Sequence, residues 1–251
     1  MIWAYWGNQS MSFLRYMTLH SLCKLNDEVT LICGDSGRGN KAWIEKQDMT
    51  HYCGPDYTDR LKGLKNLSVV NLSAIAPQIA KLKASEVHTS DMLGWFLMNR
   101  YGGTVTDMDI VFTKPVPEVA GTVQMVKFDD GYTPVSFMQG SPNGFWTYLF
   151  ELSLKQWQDD DYESCGSKLF DHVKAFPETT KWLDPRTVFP FFRAPWGVRH
   201  AMAFCERHAL PKFCIGIHWY GGVNHYYNSV TMPESPQEST IWDAIRVTYE
   251  G

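Results

Sequence analysis

The sequence lacks the motifs that would assign it to several common enzyme classes. No Gly-x-Gly-x-x-Gly follows a strand-like run and no Gly-x-x-x-x-Gly-Lys-Ser/Thr occurs, which disfavours a Rossmann dehydrogenase and a P-loop ATPase. No Gly-x-Ser-x-Gly occurs either, so a serine hydrolase has no support. The six cysteines show no Cys-x-x-Cys or Cys-x-His spacing. We therefore expect reduced thiols rather than a zinc site or a disulfide framework.

Clustered positive charge and long apolar runs are also missing. The net charge is −4, and lysines and arginines are scattered, which argues against constitutive nucleic-acid binding because a phosphate-binding face usually carries clustered cations. No stretch approaches the ~20 apolar residues of a membrane span. The apolar residues 1–6 are too short for a signal peptide and lack a charged flank.

What is present predicts one α/β domain over residues 1–251. Strand-like runs at residues 2–6, 29–33 and 67–72 alternate with helical patterns at 11–24 and 77–87. This alternation is typical of a doubly wound parallel sheet flanked by helices. Ligands of such sheets bind at the carboxyl ends of the strands, where Gly7 and Gly34 are expected.

The most informative feature is the pair Asp107 and Asp109 within the run Tyr101-Gly-Gly-Thr-Val-Thr-Asp-Met-Asp-Ile-Val-Phe112. Val105 and residues 110–112 predict one buried strand, from which both aspartates project on the same side roughly 7 Å apart. Apolar surroundings and mutual repulsion make two such carboxylates costly to keep ionised. The pair therefore indicates a site for a hard divalent cation, Mn²⁺ or Mg²⁺.

A capped helix is predicted immediately before this strand. Thr89 or Ser90 can serve as its N-cap, and Asp91 in the first turn suits the helix dipole. Apolar residues recur at helical spacing through residue 98, and Gly102 supplies the left-handed residue that ends a helix.

The order Ser-Asp, apolar helix, Tyr-Gly-Gly and Asp-x-Asp resembles glycosyltransferases with a sugar-binding region that contains an Asp-x-Asp motif. That group includes yeast-type mannosyltransferases, α-1,4-galactosyltransferase-like enzymes and the glucosylating clostridial toxins. The resemblance implies a GT-A fold, a divalent metal and a nucleoside-diphosphate sugar as donor. Membrane-tethered members carry an anchor that this sequence does not show, so we expect a cytoplasmic protein, either bacterial or, if viral, in the host cytoplasm.

The resemblance also implies roles for particular residues. Asp109 would bind the metal directly, Asp107 would bind ribose or a metal-bound water, and Asp91 would accept hydrogen bonds from donor-sugar hydroxyls. Trp6 and Gly7 match the segment that contacts the nucleotide base.

A C-terminal segment with His and Trp closes over the donor diphosphate in the resembled family. His218 and Trp219 match it, with His218 as a third metal ligand, and Mn²⁺ tolerates imidazole better than Mg²⁺ does. His225 competes with His218 for this role.

The sequence departs from the family where an arginine usually follows Ser-Asp by three residues, because Gly94 stands there. A guanidinium that can bind donor sugar or phosphate in bidentate fashion is therefore missing. Either Arg100 or a lysine or arginine from elsewhere replaces it, or the donor sugar differs, or activity is lost.

The leading hypothesis is a hexosyl- or pentosyltransferase, with retention of configuration as the resemblance suggests. Residues 1–112 would form the nucleotide-sugar-binding half and residues 113–251 the acceptor half, where Asp129 and Asp130 are weak candidates. The acceptor could be a glycan, a protein, a small molecule or a modified base in viral DNA, the last not signalled by charge. A sugar-nucleotide-binding protein without turnover and a metal-dependent phosphoesterase remain alternatives.

Overall fold

The computed structural model describes residues 1–7, 10–34, 54–221 and 238–249, without the side chains of residues 196, 197 and 200. Nine strands lie in this part of the chain: β1 Ile2–Gly7, β2 Val29–Gly34, β3 Leu67–Asn71, β4 Gly103–Thr106, β5 Ile110–Phe112, β6 Val123–Val126, β7 Phe137–Gly140, β8 Thr180–Leu183 and β9 Gly216–His218.

Seven α-helices accompany these strands in the described residues: α1 Phe13–Leu25, α2 Leu72–Ile75, α3 Pro77–Ala80, α4 Glu86–Arg100, α5 Gly144–Gln156, α6 Trp196–Phe204 and α7 Thr240–Tyr249. Short 3-10 helices occupy Thr58–Gly63, Ser167–His172 and Pro185–Thr187. None of the helices in the described ranges is both long and apolar enough to cross a bilayer.

Seven strands form a central sheet in the order β3-β2-β1-β4-β7-β6-β8. Strands β3, β2, β1 and β4 are parallel, whereas β7 runs antiparallel to both β4 and β6. The predicted class, an α/β sheet flanked by helices, is confirmed. Because β2 and β3 lie on one side of β1 and β4 lies on the other, the strand order reverses there, and ligands of such sheets bind at that reversal.

The predicted single strand through Asp107 and Asp109 is wrong. β4 ends at Thr106, and β5 leaves the central sheet to pair with β9 in a separate two-stranded sheet. The two aspartates lie in the turn between them, which is tied to α1 because the Thr18 hydroxyl donates to the Met108 carbonyl at 3.1 Å. The backbone at Asp107 still donates to the Ser136 carbonyl at 2.9 Å, so the turn begins at the edge of the sheet.

The helix before this turn begins earlier than predicted. Ser85 is the N-cap of α4, with its hydroxyl accepting from the backbone N–H of His88, so neither Thr89 nor Ser90 caps the helix and Asp91 lies beyond its first turn. The predicted helix at residues 77–87 reaches only Ala80, because Lys83 at φ 51° cannot continue a right-handed helix. Gly102 ends α4 at φ 65°, as predicted.

The thiols behave as predicted in the described part of the chain. Cys23, Cys33, Cys165, Cys205 and Cys214 are free. Burial raises the pKa of Cys23 to about 12 and that of Cys214 to about 11. The Cys23 and Cys214 side chains therefore stay protonated and act as small apolar groups rather than as nucleophiles.

Candidate active site

A cavity of about 200 Å³ opens at the carboxyl ends of β1 and β4, where the strand order reverses. Trp6, at the end of β1, and Asp107, just after β4, both line it. Five carboxylates face the cavity: Glu86, Asp91, Asp107, Asp109 and Glu163. Seven aromatic residues share the lining: Tyr5, Trp6, Phe128, Tyr132, Tyr162, Phe189 and Tyr220. This combination suits a polar ligand that also carries a flat, stackable group.

Asp107, Asp109 and His218 converge in this cavity, and one potential ligand atom from each lies within 4.8 Å of the others. The pairing of β5 with β9 explains the convergence, because it sets Ile110 opposite His218 and so places Asp109 at the same end of the small sheet. His218 Nε2 lies 3.2 Å from Asp109 Oδ1. Residues more than one hundred positions apart thus form one cluster.

The Asp109 carboxylate is fixed on one side and unsatisfied on the other. Its Oδ2 accepts the Gly221 N–H at 2.7 Å, and its backbone carbonyl accepts the Trp219 N–H at 2.9 Å. Within the described residues its buried Oδ1 accepts no hydrogen bond of normal geometry, and its polar neighbour there is His218 Nε2 at 3.2 Å. A buried carboxylate oxygen without a donor is costly, and a cation would remove that cost.

The raised pKa values of the neighbouring aspartates also indicate a site for a cation. Burial and the Asp109 carboxylate raise the pKa of Asp107 to about 7, against the opposing effect of the Arg15 guanidinium. Burial, followed by Asp107 and Glu163, raises the pKa of Asp91 well above its usual range. The two aspartates of the turn therefore fit a hard divalent cation, which would stabilise both in their ionised form.

His218 fits a metal less simply than the aspartates do. Its Nδ1 accepts the backbone N–H of Tyr220 at 3.1 Å, and burial lowers its pKa, so the ring is neutral with its proton on Nε2. A metal ligand through Nε2 carries its proton on Nδ1 and donates it to an acceptor. His218 could bind a metal through Nε2 only if the Tyr220 hydrogen bond broke. Tyr220 has φ 55°, an unusual backbone state for a non-glycine residue.

Trp6 and Gly7 both lie at the cavity end of β1. Trp6 is half-buried and lines the cavity, whereas the Gly7 N–H donates to Glu86 Oε1 at 3.1 Å. A Cβ at position 7 would lie 3.1 Å from that carboxylate group, so the glycine permits close contact between β1 and α4. Trp219 differs from the expectation that it covers a ligand. Its side chain is fully buried, outside the cavity lining, beneath the Arg15 guanidinium.

Asp91 lies on the cavity face of α4, close to the segment that precedes the second 3-10 helix. A Cβ at Gly166 would lie 2.5 Å from Asp91 Oδ2, so only glycine allows this approach. Gly94 faces away from the cavity, because a Cβ there would lie 3.3 Å from both Met138 and Val105 in the core. Arg100 is exposed at the C-terminal end of α4, about 14 Å along the helix axis from Asp91, and does not line the cavity.

The remaining sequence candidates lie elsewhere. Asp129 forms an exposed ion pair with Arg193 at 3.0 Å, and Asp130 accepts the Tyr132 N–H; neither lines the cavity. His225 lies outside the described residues.

Sequence reasoning missed several cavity residues, of which Arg15, Glu86 and Glu163 carry charge. Arg15 had one visible signal, since it is a charged residue inside a helix whose neighbours are almost all apolar. Glu163 accepts the Ser167 hydroxyl at 2.7 Å and lies in a run of polar residues that gives no hint of a site.

Comparisons with known proteins show that the chain is similar to several solved structures. No family model matches the chain, and no curated protein matches it. The solved structures it resembles include the PaToxG glycosyltransferase, with 14% identity, a TM-score of 0.48, and coverage of 68% of this chain and 66% of that chain. Another is the glycosyltransferase GlyE of Streptococcus pneumoniae TIGR4, with 12% identity, a TM-score of 0.47, and coverage of 97% and 60% respectively. The chain thus spans less than two thirds of either protein.

Proposed function

We propose that the protein is a metal-dependent glycosyltransferase that uses a nucleoside-diphosphate sugar as donor. The observation that carries the proposal is the buried, unsatisfied Oδ1 of Asp109 beside Asp107, in a cavity at the carboxyl ends of β1 and β4. The resemblance of residues 89–112 to the Asp-x-Asp glycosyltransferases supports the same chemistry.

In this proposal Asp109 and Asp107 hold the divalent cation, with His218 as a possible third ligand. A divalent cation held there, Mn²⁺ or Mg²⁺, would supply positive charge against the negative charge that develops on the diphosphate as the glycosidic bond breaks. Asp91 accepts hydrogen bonds from the donor sugar, and Trp6 stacks on the nucleotide base. Asp109 stays in place because the Gly221 N–H holds its second oxygen.

The finer assignments extend this proposal. We take the transfer to retain anomeric configuration, with residues 1–112 binding the nucleotide sugar and 113–251 shaping the acceptor side. The acceptor is a glycan, protein, small molecule or modified base, and the sugar a hexose or a pentose. A cytoplasmic location accompanies this hypothesis.

The first prediction is that turnover depends on a divalent cation, with Mn²⁺ at least as effective as Mg²⁺, because carboxylates and an imidazole surround the site. The measurement is release of free nucleoside diphosphate from a panel of uridine, guanosine, adenosine and cytidine diphosphate sugars. Chelated enzyme should lose activity and regain it on addition of Mn²⁺. Full activity after exhaustive chelation would rule out the metal assignment.

The same panel separates the alternatives. A phosphoesterase would cleave simple phosphate esters as well as sugar nucleotides, whereas a binding protein without turnover would be thermally stabilised by one nucleotide sugar and release nothing. Among the described residues, one group of three potential metal ligands occurs, formed by Asp107, Asp109 and His218. Metal-dependent phosphoesterases usually cluster more ligands than three, so this group favours the glycosyltransferase proposal.

The second prediction concerns the two nitrogens of His218. His218→Ala should weaken binding of the nucleoside diphosphate with Mn²⁺ by about 10-fold or more, and leave the nucleoside alone within about 2-fold. Two further variants divide the roles of the ring, because an asparagine oxygen can replace Nδ1 as acceptor for Tyr220 whereas glutamine reaches the Nε2 position.

Titration calorimetry decides between the roles. If Nε2 binds the metal, the glutamine variant should retain more Mn²⁺ affinity than the asparagine variant. The opposite order would assign His218 to holding the Tyr220 backbone, and equal losses for nucleoside and diphosphate would make it a structural residue.

A further inference from the structure

Arg15 is a buried cation at the wall of the cavity. It projects from α1, is 8% exposed, and lines the cavity. Its guanidinium lies between two tryptophans, with Cζ 5.3 Å from the ring centroid of Trp6 and 4.9 Å from that of Trp219. Contacts with two aromatic rings restrict the motion of the guanidinium before any ligand arrives.

Within the described residues, the hydrogen-bonding capacity of this side chain is not fully used. Its buried Nε has no hydrogen-bond partner among the described residues, and no carboxylate in that part of the chain forms an ion pair with it. Burying a guanidinium without a counter-ion is costly, and the aromatic rings offset only part of that cost. A buried arginine of this kind is suited to bind an anion that enters from outside the protein.

The position of Arg15 places that anion beside the aspartates. Its Nη2 would lie 2.5 Å from a Cβ at Gly221, the residue whose N–H holds Asp109 Oδ2. Arg15 also lines the same cavity as Asp107, Asp109 and His218. Arg15 and the three possible metal ligands therefore face one small volume of the cavity.

We infer that Arg15 binds the phosphate oxygens of the donor diphosphate, next to the cation held by Asp107 and Asp109. This inference rests on the proposed function. It assigns to Arg15 the phosphate-binding role of the arginine that is missing at position 94. Gly94 faces the core and Arg100 lies at the far end of α4, whereas Arg15 reaches the cavity from a different helix. A planar guanidinium can donate two hydrogen bonds to phosphate oxygens while the metal binds others.

The test is titration calorimetry of the full chain with three probes in the presence of Mn²⁺: the nucleoside diphosphates of the four common bases, the matching nucleosides, and inorganic pyrophosphate. Arg15→Gln should weaken diphosphate and pyrophosphate binding by about 10- to 100-fold and leave nucleoside binding within about 2-fold. Arg15→Lys keeps the positive charge but loses the planar pair of N–H donors. Its affinity for the diphosphate and for pyrophosphate should therefore lie between those of wild type and Arg15→Gln.

Arg60→Gln is the matched control. Arg60 also lies over an aromatic ring, that of Tyr57 at 5.1 Å, but outside the cavity lining. Its loss should leave all three affinities within about 2-fold. Thermal melting of each variant establishes that it folds. If Arg15→Gln does not melt cooperatively, Arg15→Lys replaces it in the test. In that case the inference requires Arg15→Lys to bind the diphosphate at least about 3-fold more weakly than wild type.

The outcomes separate this inference from the proposed function. Diphosphate affinity that is equal in wild type and Arg15→Gln would overturn the inference while leaving the glycosyltransferase proposal intact. Pyrophosphate binding that needs Arg15 in a protein that binds no nucleotide would support the anion site and contradict the proposed donor. Equal weakening for nucleoside and diphosphate would make Arg15 a packing residue, and wild-type protein that binds none of the probes would overturn both.

Discussion

Asp109→Asn should reduce metal-dependent turnover by at least about 100-fold while leaving the protein folded. The remaining amide oxygen can still accept the Gly221 N–H that Asp109 Oδ2 accepts at 2.7 Å, so the turn keeps its support. The other oxygen, buried 3.2 Å from His218 Nε2, is replaced by an NH₂ group that repels a cation. Loss of the negative charge also relieves the repulsion with Asp107, which removes a destabilising interaction.

The measurement combines Mn²⁺ titration with nucleoside diphosphate release under saturating metal. Asp59→Asn is the control, because Asp59 is an exposed aspartate paired with Lys62 at 2.7 Å and lies outside the cavity. That variant should keep wild-type rates. An Asp109→Asn enzyme that transfers sugar at near wild-type rate with Mn²⁺ present would show that the cation site has been misplaced.

Local patterns in the sequence predicted the elements that carry the site. Gly102 ends α4 in the left-handed state, and the strand runs at β1, β2 and β3 correspond to observed strands. These signals depend on backbone sterics and on alternation within a few residues, which the sequence contains directly. Asp91, Asp107 and Asp109 could therefore be selected as a group, and the structure places all three in one cavity.

The geometry of the aspartate pair could not be predicted in this way. Apolar residues on both sides of Asp107 and Asp109 are typical of one continuous strand, but β5 pairs with β9 more than one hundred residues away. That pairing brings His218 to Asp109 and converts a predicted strand into a turn. Long-range strand pairing is decided by tertiary packing, which a local pattern of apolar residues does not encode.

Side-chain direction was the other unpredictable quantity. Trp219 follows His218 directly, yet its ring is buried under Arg15 while His218 faces the cavity. Position 94 lies one turn from Asp91 on α4, yet it faces Met138 and Val105. An arginine from α1 lines the cavity instead, where α1 is held by packing against β5 and α7.

Trp95→Ala should lower the free energy of unfolding by about 3–5 kcal/mol, the largest stability effect that we expect from a single substitution in this core. Trp95 is fully buried, with its ring centroid 6.1 Å from that of Trp146 and 5.9 Å from that of Phe170. Its indole N–H donates to the Cys165 carbonyl at 2.8 Å. The substitution leaves both a cavity and an unsatisfied buried carbonyl, and denaturant unfolding measures the sum of the two effects.

Trp95 also connects the core to the cavity, because Asp91 lies one turn before it on α4 and Gly166, next to Cys165, approaches Asp91 Oδ2. Trp95→Phe keeps most of the packing but removes the hydrogen bond, so it should cost about 1–3 kcal/mol and weaken binding of the nucleotide sugar more than binding of the nucleoside diphosphate. Trp182→Ala is the control: at 38% exposed, its loss should cost no more than about 1.5 kcal/mol and change neither affinity. If Trp95→Phe weakens both ligands equally, the Cys165 hydrogen bond supports the fold alone and has no specific effect on the sugar-binding side of the cavity.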